Sequence, residues 1–161
     1  MSVSKNPSVS IIIPTYNETD NIEAVVKKFL DSKYPHLLEI IIVDGTSTDG
    51  TQGKIENLSR IHPQIKLLDN PQRIQSAALN IALKACKGDI YLRADAHCNY
   101  APDYIEQCVD ALQKSQAVNV GGAQRFVAAN TFQAGVSLAS RSLLGSGGAK
   151  YRNPHYDGYA E

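Results

Sequence analysis

The sequence is poor in the features that mark several large protein classes. It has no tryptophan, one methionine and three cysteines among 161 residues. Those cysteines, Cys86, Cys98 and Cys108, are odd in number and form no C-x-x-C pair. That excludes a disulfide framework and leaves free, buried or half-buried thiols as the expectation. Excess charge is also missing, since 16 Lys+Arg balance 16 Asp+Glu. Neither a general nucleic-acid binder nor a polybasic membrane anchor has such a balance. No apolar run approaches the ~20 residues of a transmembrane helix. The first one, Val9–Ile13, contains Ser10 and is too short even for a signal-peptide core. No G-x-G-x-x-G follows the first apolar run and no G-x-x-x-x-G-K-[ST] occurs anywhere, so an ordinary dehydrogenase or P-loop enzyme is excluded.

What remains is a regular alternation. Short β-branched runs, Ser8–Pro14, Glu39–Val43, Ile65–Asp69 and Asp89–Arg93, are separated by segments of helical period. The near-continuous apolar character of Ile11–Ile13 and Ile40–Val43 predicts central parallel strands covered on both faces. Between them, Ile22, Val25, Val26, Phe29 and Leu30 fall at the spacing of an amphipathic helix over Asn21–Ser32. Asp20, with Glu23 three residues on, predicts a capping box at its start. Further helices are expected over Asp49–Ile61, Gln75–Lys87 and Pro102–Ser115, the second stopping at Gly88. Ala128–Leu144 has weaker helical character, and Gly145–Gly148 with Tyr151–Glu161 reads as loop. The β-α-β-α-β-α-β-α order predicts an α/β fold with a Rossmann-like, mostly parallel sheet and helices on both faces. The whole of 1–161 reads as one domain, within the usual size range.

In such sheets ligands bind beyond the carboxyl ends of the strands, where strand order reverses. Pro14-Thr15-Tyr16-Asn17-Glu18 follows the first strand and offers an aromatic face with hydroxyl and carboxylate groups; the same residues also suit a rim and helix lead-in. Asp44 ends the second strand, where a carboxylate needs a partner or solvent and can accept from a base or a ribose hydroxyl. The Gly45–Thr51 run after it is a turn, with Asp49 or Thr48 placed to cap the next helix. Asp95 and His97 follow the fourth strand. In a 3-2-1-4 order Asp44 and Asp95 flank the first strand, two strand spacings or ~10 Å apart. Asp95 and His97 can both reach one ion, oxygen suiting Mg²⁺ or Mn²⁺ and imidazole favouring Mn²⁺; a solvated turn is the plainer reading of the pair.

Taken together, Ser10-Ile11-Ile12-Ile13-Pro14-Thr15-Tyr16-Asn17-Glu18 and Ile42-Val43-Asp44-Gly45-Thr46-Ser47-Thr48-Asp49-Gly50-Thr51 resemble the opening of family 2 glycosyltransferases. Asp95-Ala96-His97 stands where that family has its DxD motif, and Arg73 and Asn80 in Asn70–Asn80 match its middle motif. The string Tyr91–Cys98 is similar to the succinoglycan-type exopolysaccharide glycosyltransferases. The resemblance implies a GT-A fold that binds a nucleotide-diphospho-sugar, usually a UDP-sugar, with Mn²⁺ or Mg²⁺. It implies a nucleotide-sugar site of Pro14, Thr15, Tyr16, Glu18, Asp44, Arg73 and Asp95, with Asp95 and His97 at the metal. His97 departs from the family, which normally has a carboxylate there. Transfer to a saccharide or lipid-linked acceptor is implied, at the cytosolic side of a membrane. The family's catalytic base is expected beyond Glu161, Asp157 being a poor substitute, so this chain reads as the donor-binding part. Membrane association would then belong to the part carrying the base. A nucleotide-sugar-binding module without transferase activity is the alternative.

Overall fold

A computed structural model describes residues 6–122, 128 and 130–142. Four strands and four helices alternate in its first compact unit, residues 1–114. They are β1 (Val9–Thr15), α1 (Ile22–Leu30), β2 (Leu37–Asp44), α2 (Thr51–Ile61), β3 (Ile65–Asp69), α3 (Gln75–Ala85), β4 (Ile90–Arg93) and α4 (Tyr104–Ser115), the last ending at the unit's border. The strands form one parallel sheet in the order β3-β2-β1-β4. The expected α/β architecture and strand order are therefore present. The second unit, residues 115–161, contributes α5 (Thr131–Arg141), whose Asn130 side chain accepts the Gln133 N–H as a cap. The expected loop at Gly145–Glu161, and Asp157 within it, lies outside the described residues.

The two central strands are apolar on both sides because both sides are covered. Val9, Ile11, Ile13, Ile40 and Ile42 pack with Ile22, Val26 and Phe29 of α1, Ile55 of α2 and Ile105 and Val109 of α4. Ile12, Ile41 and Val43 face the other way, against Ala78 and Ala82 of α3. Fully burying one such side chain contributes ~1.5–3 kcal/mol, so this double layer is the main source of stability. Two small residues on the buried face of α3 let that helix approach the sheet closely.

Three local expectations need correction. Asp20 and Glu23 form no capping box: the residue before α1 is Asn21, without a side-chain cap, and the Asn21 and Ile22 N–H groups donate to the Glu18 carbonyl. The helix starts one residue later than the box requires, and Glu23 pairs instead with Lys54 at 2.9 Å. Pro102 precedes α4 rather than opening it. Cys98 is exposed, while Cys86 and Cys108 are half-buried as expected.

At the amino ends of the strands lies a polar cluster that the sequence did not announce. Glu39 is 2% exposed and accepts from Ser10 Oγ (2.8 Å), the Lys87 N–H (2.7 Å) and Lys66 Nζ. Ser10 Oγ in turn accepts the Gly88 N–H at 2.9 Å. Gly88 sits so close that a Cβ there would meet Ser10 N at 2.7 Å, which is why a side chain is not tolerated. Burial pushes the Glu39 carboxyl up, but the hydrogen bonds from Lys66, Ser10 and the Lys87 N–H together hold it below the ordinary glutamate value. A lowered folded-state value means stabilisation that is full above the unfolded value and lost as pH falls through the folded one. Glu39→Ala should therefore cost about 2–3 kcal/mol in urea unfolding at neutral pH. In Glu39→Gln, the stability loss on acidification should be smaller than in the wild type; an unchanged acid profile would show that Glu39 carries none of it.

Candidate functional site

The loops that leave β1, β2 and β3 at their carboxyl ends are tied to one another by side chains. Asp44, the last residue of β2, is wholly buried and needs internal partners. It gets them from its own loop and the following helix: Ser47 N–H donates to Oδ2 at 2.8 Å, Ser47 Oγ to Oδ1, and Gln52 Nε2 to Oδ2 at 2.7 Å. The loop so folded then holds the one after β1. Ser47 Oγ accepts the Asn17 N–H (2.8 Å), and Asn17 Oδ1 accepts the Thr48 N–H (2.9 Å). Thr51 Oγ1 accepts the Glu18 N–H, and Asp49 accepts the Thr19 N–H. Asp49 also takes the Thr51 N–H and hydroxyl at the start of α2, but the residue before that helix is Gly50 and neither Asp49 nor Thr48 caps it as expected. The Thr51 hydroxyl bond, and the backbone bonds after it, hold the Asp49 carboxyl below its usual range.

Between these loops and the start of α3 opens a shallow cleft of about 180 Å³. Pro14, Thr15, Tyr16, Glu18 and Arg73 line it, with Asn70 at the end of β3. The Tyr16 ring is half exposed, and its Cδ2 would lie 3.2 Å from a Cβ at Gly45; the glycine lets the ring settle against the β2 loop. Arg73 reaches back over the same ring, 5.7 Å from its centroid, and its Nε donates to Thr46 Oγ1 at 2.7 Å. Asn17, Thr46 and Arg73 all have positive φ (53°, 59° and 56°), one in each of the three loops. Non-glycine residues in that region are held there by surrounding bonds, and such strain gathers at ligand clamps.

Asp95 and His97 lie beyond the end of β4, off this cleft's lining. The segment is anchored by Tyr100, whose hydroxyl accepts the Asp95 N–H at 2.7 Å. The Tyr100 ring packs against Phe29 and Tyr104, both 4.9 Å away between centroids, and burial drives its hydroxyl pKa well up, so it stays a neutral phenol. The Asp95 carboxylate pairs with Arg93 at 3.0 Å. His97 Nδ1 instead hydrogen-bonds Glu18 Oε1 at 2.7 Å, which links this segment to the cleft. The two expected metal ligands thus have different partners, and no group of three or more His, Cys, Asp or Glu is placed to hold a cation among the described residues. One carboxylate and one imidazole suit a divalent ion only when ligand oxygens, such as phosphate, complete the shell.

Sequence reasoning found the cleft's aromatic and carboxylate residues but missed Asn17, Ser47, Gln52 and Asn70. Their signal was available in kind: Asn and Ser beside strand ends bond readily to backbone. Which partner each takes depended on the fold.

The sequence matches the glycosyl transferase family 2 profile over residues 10–158. The chain belongs to glycosyl transferase family 2. Among its relatives is the succinoglycan biosynthesis protein ExoA of Rhizobium meliloti, 39% identical over 94% of this chain and 46% of that protein. A dolichol-phosphate mannosyltransferase of Pyrococcus furiosus is 29% identical over 70% of this chain and 32% of its own length. This family 2 chain thus spans less than half of either relative. Among solved structures, a mannosyltransferase from Pyrobaculum calidifontis, in complex with GDP-Man and Mn²⁺, superposes with a TM-score of 0.64 at 30% identity, covering 76% of this chain and 36% of that one. S. aureus TarS 1–349 in complex with UDP shares the fold at a TM-score of 0.59 and 21% identity, over 76% and 40% of the two chains. The GT-A fold expected from the sequence is that of these neighbours.

Ser47 should be the residue whose loss loosens the crown of loops. Ser47→Ala removes the hydroxyl shared by Asp44 and the Asn17 N–H and should cost about 1–2 kcal/mol in chemical denaturation. Ser47→Thr, which keeps the hydroxyl, should recover most of it.

Proposed function

We propose that this chain is the donor-binding part of a glycosyltransferase of polysaccharide biosynthesis. It takes a sugar from a nucleotide-diphospho-sugar, a UDP-sugar by preference, for transfer to a saccharide or lipid-linked acceptor. The observation that carries the reading is the cleft at the carboxyl ends of the strands, where Tyr16 offers a stacking face beside Arg73. Family membership and a 30%-identical neighbour bound to GDP-Man and Mn²⁺ support it. Relatives whose names speak of succinoglycan biosynthesis and of dolichol phosphate support the two acceptor classes. No helix among the described residues is long and apolar enough to cross a membrane; on this reading the chain works at the cytosolic face, where such donors and lipid-linked acceptors meet.

In this reading Pro14, Thr15, Tyr16 and Glu18 line the base and ribose end. Asp44, wholly buried here, accepts from the base only once a donor such as Gln52 gives way, and Arg73 offsets charge on the diphosphate once it leaves Thr46. Asp95 contacts ribose or metal, and His97 is the second metal ligand, with Mn²⁺ or Mg²⁺ as the ion. When bound, the ion would stabilise negative charge on the departing diphosphate. In the reaction an acceptor hydroxyl oxygen bonds to the anomeric carbon, the bond from that carbon to the phosphate oxygen breaks, and a base takes the hydroxyl proton. No base is assigned among the described residues.

Titration of the chain with UDP and GDP, with and without Mn²⁺, tests the reading. Binding should be detectable below millimolar concentration and strengthened by Mn²⁺. Asp95→Asn should reduce that Mn²⁺ gain by at least about tenfold, the lower range seen when a metal site's supporting groups are lost. No binding of either nucleotide at millimolar concentration sinks the donor site, and an undiminished Mn²⁺ gain in the variant removes Asp95 from the metal.

A further inference from the structure

Glu18 is held at every polar atom it has. Its N–H donates to Thr51 Oγ1 at 2.9 Å, and its carbonyl accepts the Asn21 and Ile22 N–H groups at 3.0 and 2.9 Å. Of its carboxylate oxygens, Oε2 accepts from Asn21 Nδ2 and Oε1 meets His97 Nδ1, each at 2.7 Å. The Glu18 side chain is 17% exposed and that of His97 66%, so the glutamate is the fixed member of the pair. An ionised carboxylate only accepts, which puts the proton of the shared bond on Nδ1. In the neutral ring Nε2 then keeps its lone pair, and it has no hydrogen-bond partner among the described residues. This matters because His97 stands where the family normally has a carboxylate. A carboxylate presents either oxygen to an ion. A neutral imidazole has one lone pair, and the hydrogen bond made by its other nitrogen decides where that pair lies.

We propose that Glu18 is a positioning residue for His97: it accepts the Nδ1–H, holds the ring, and leaves Nε2 as the nitrogen offered to a divalent ion. The inference rests on the donor-binding reading above, in which His97 is the second metal ligand, and adds to it the group that prepares that ligand. Metal-binding histidines characteristically give their other N–H to a carboxylate or carbonyl, which fixes the ring and makes the ligating nitrogen more basic. Glu18 suits the part because its anchors, Thr51 of α2 and Asn21 before α1, lie outside the segment that carries His97. The contact also joins the loops that leave β1 and β4, which are neighbours in the sheet. Without Glu18 the exposed ring would be free to turn and to carry its proton on Nε2, the form that cannot ligate through that atom.

The first readout of the test needs neither nucleotide nor metal. The ring-nitrogen NMR shifts of His97, recognised as the signals missing in His97→Gln, report its tautomer at a pH where the ring is neutral. Wild type and Glu18→Gln, whose amide oxygen can also accept, should carry the proton on Nδ1, and Glu18→Ala should lose that preference. The second readout is the gain that Mn²⁺ gives to UDP or GDP binding in titrations of the same chains. Glu18→Ala should lose at least about tenfold of that gain, the lower range for a metal ligand deprived of its hydrogen-bond partner, and Glu18→Gln should recover most of it. A proton on Nε2 in the wild type overturns the proposal, whether or not a variant folds. An unchanged tautomer or an unchanged Mn²⁺ gain in Glu18→Ala overturns it too and leaves donor binding standing. Failure of both nucleotides to bind overturns the donor reading and this role with it.

Discussion

The Asp44 carboxylate is the constraint around which the site is arranged. It ends a strand that is buried on both faces, and its side chain reaches no solvent. A carboxylate in that position is stable only when nearby donors satisfy it. Ser47 and Gln52 are those donors, and to reach it the chain must curl back immediately after Gly45. That curl sets Ser47 and Thr48 where the β1 loop can bind them, and it sets Thr46 where Arg73 can. Three loops far apart in sequence thus depend on one buried charge.

The positive φ values at Asn17, Thr46 and Arg73 make sense against this arrangement. Each costs of order 1–3 kcal/mol if nothing holds it. Asn17 is held by Ser47 and Thr48, and Thr46 and Arg73 hold each other. Asn17 is fixed through its backbone N–H and its side chain, and Arg73 likewise through its N–H to the Asn70 carbonyl and its Nε to Thr46 Oγ1.

Much of the fold could be read from the chain, because both the apolar runs and the helical periods are strong where burial is two-sided. Ile11–Ile13 and Ile40–Val43 are examples; alternation implied the parallel sheet, and its order is the doubly wound one supposed for it. The helix starts were harder. Asp20 and Glu23 have the spacing of a capping box, but the residue before the helix is Asn21, one position later than that box requires. Within the site, Tyr16 and Glu18 were legible as residue types at a strand end and Arg73 only through the family resemblance, and the structure gathers the three at one cleft. The pairing of His97 with Glu18 was not legible, since nothing in Asp95-Ala96-His97 states which loop it will meet. The unpartnered Oδ1 of Asn70 was not legible either, since a sequence does not show which bonds its residues fail to make.

The two ends of the sheet show how polar burial divides between structure and chemistry. At the amino ends Glu39, Ser10, Lys66, Lys87 and Gly88 close a network in which each Glu39 oxygen has a donor. Ser8 and Asp89 close another beside it, and the Ser8 N–H and hydroxyl hold the Asp89 carboxyl below its usual range. Satisfied networks of this kind stiffen a fold and have nothing left to offer a ligand. At the carboxyl ends the accounting is open. Asn70 Oδ1 has no donor, Asp95 pairs with the exposed Arg93, and the exposed His97 pairs with a half-buried Glu18. On the donor-binding reading, a ligand rather than the fold would draw on the hydrogen-bonding capacity left open at the carboxyl ends of the strands.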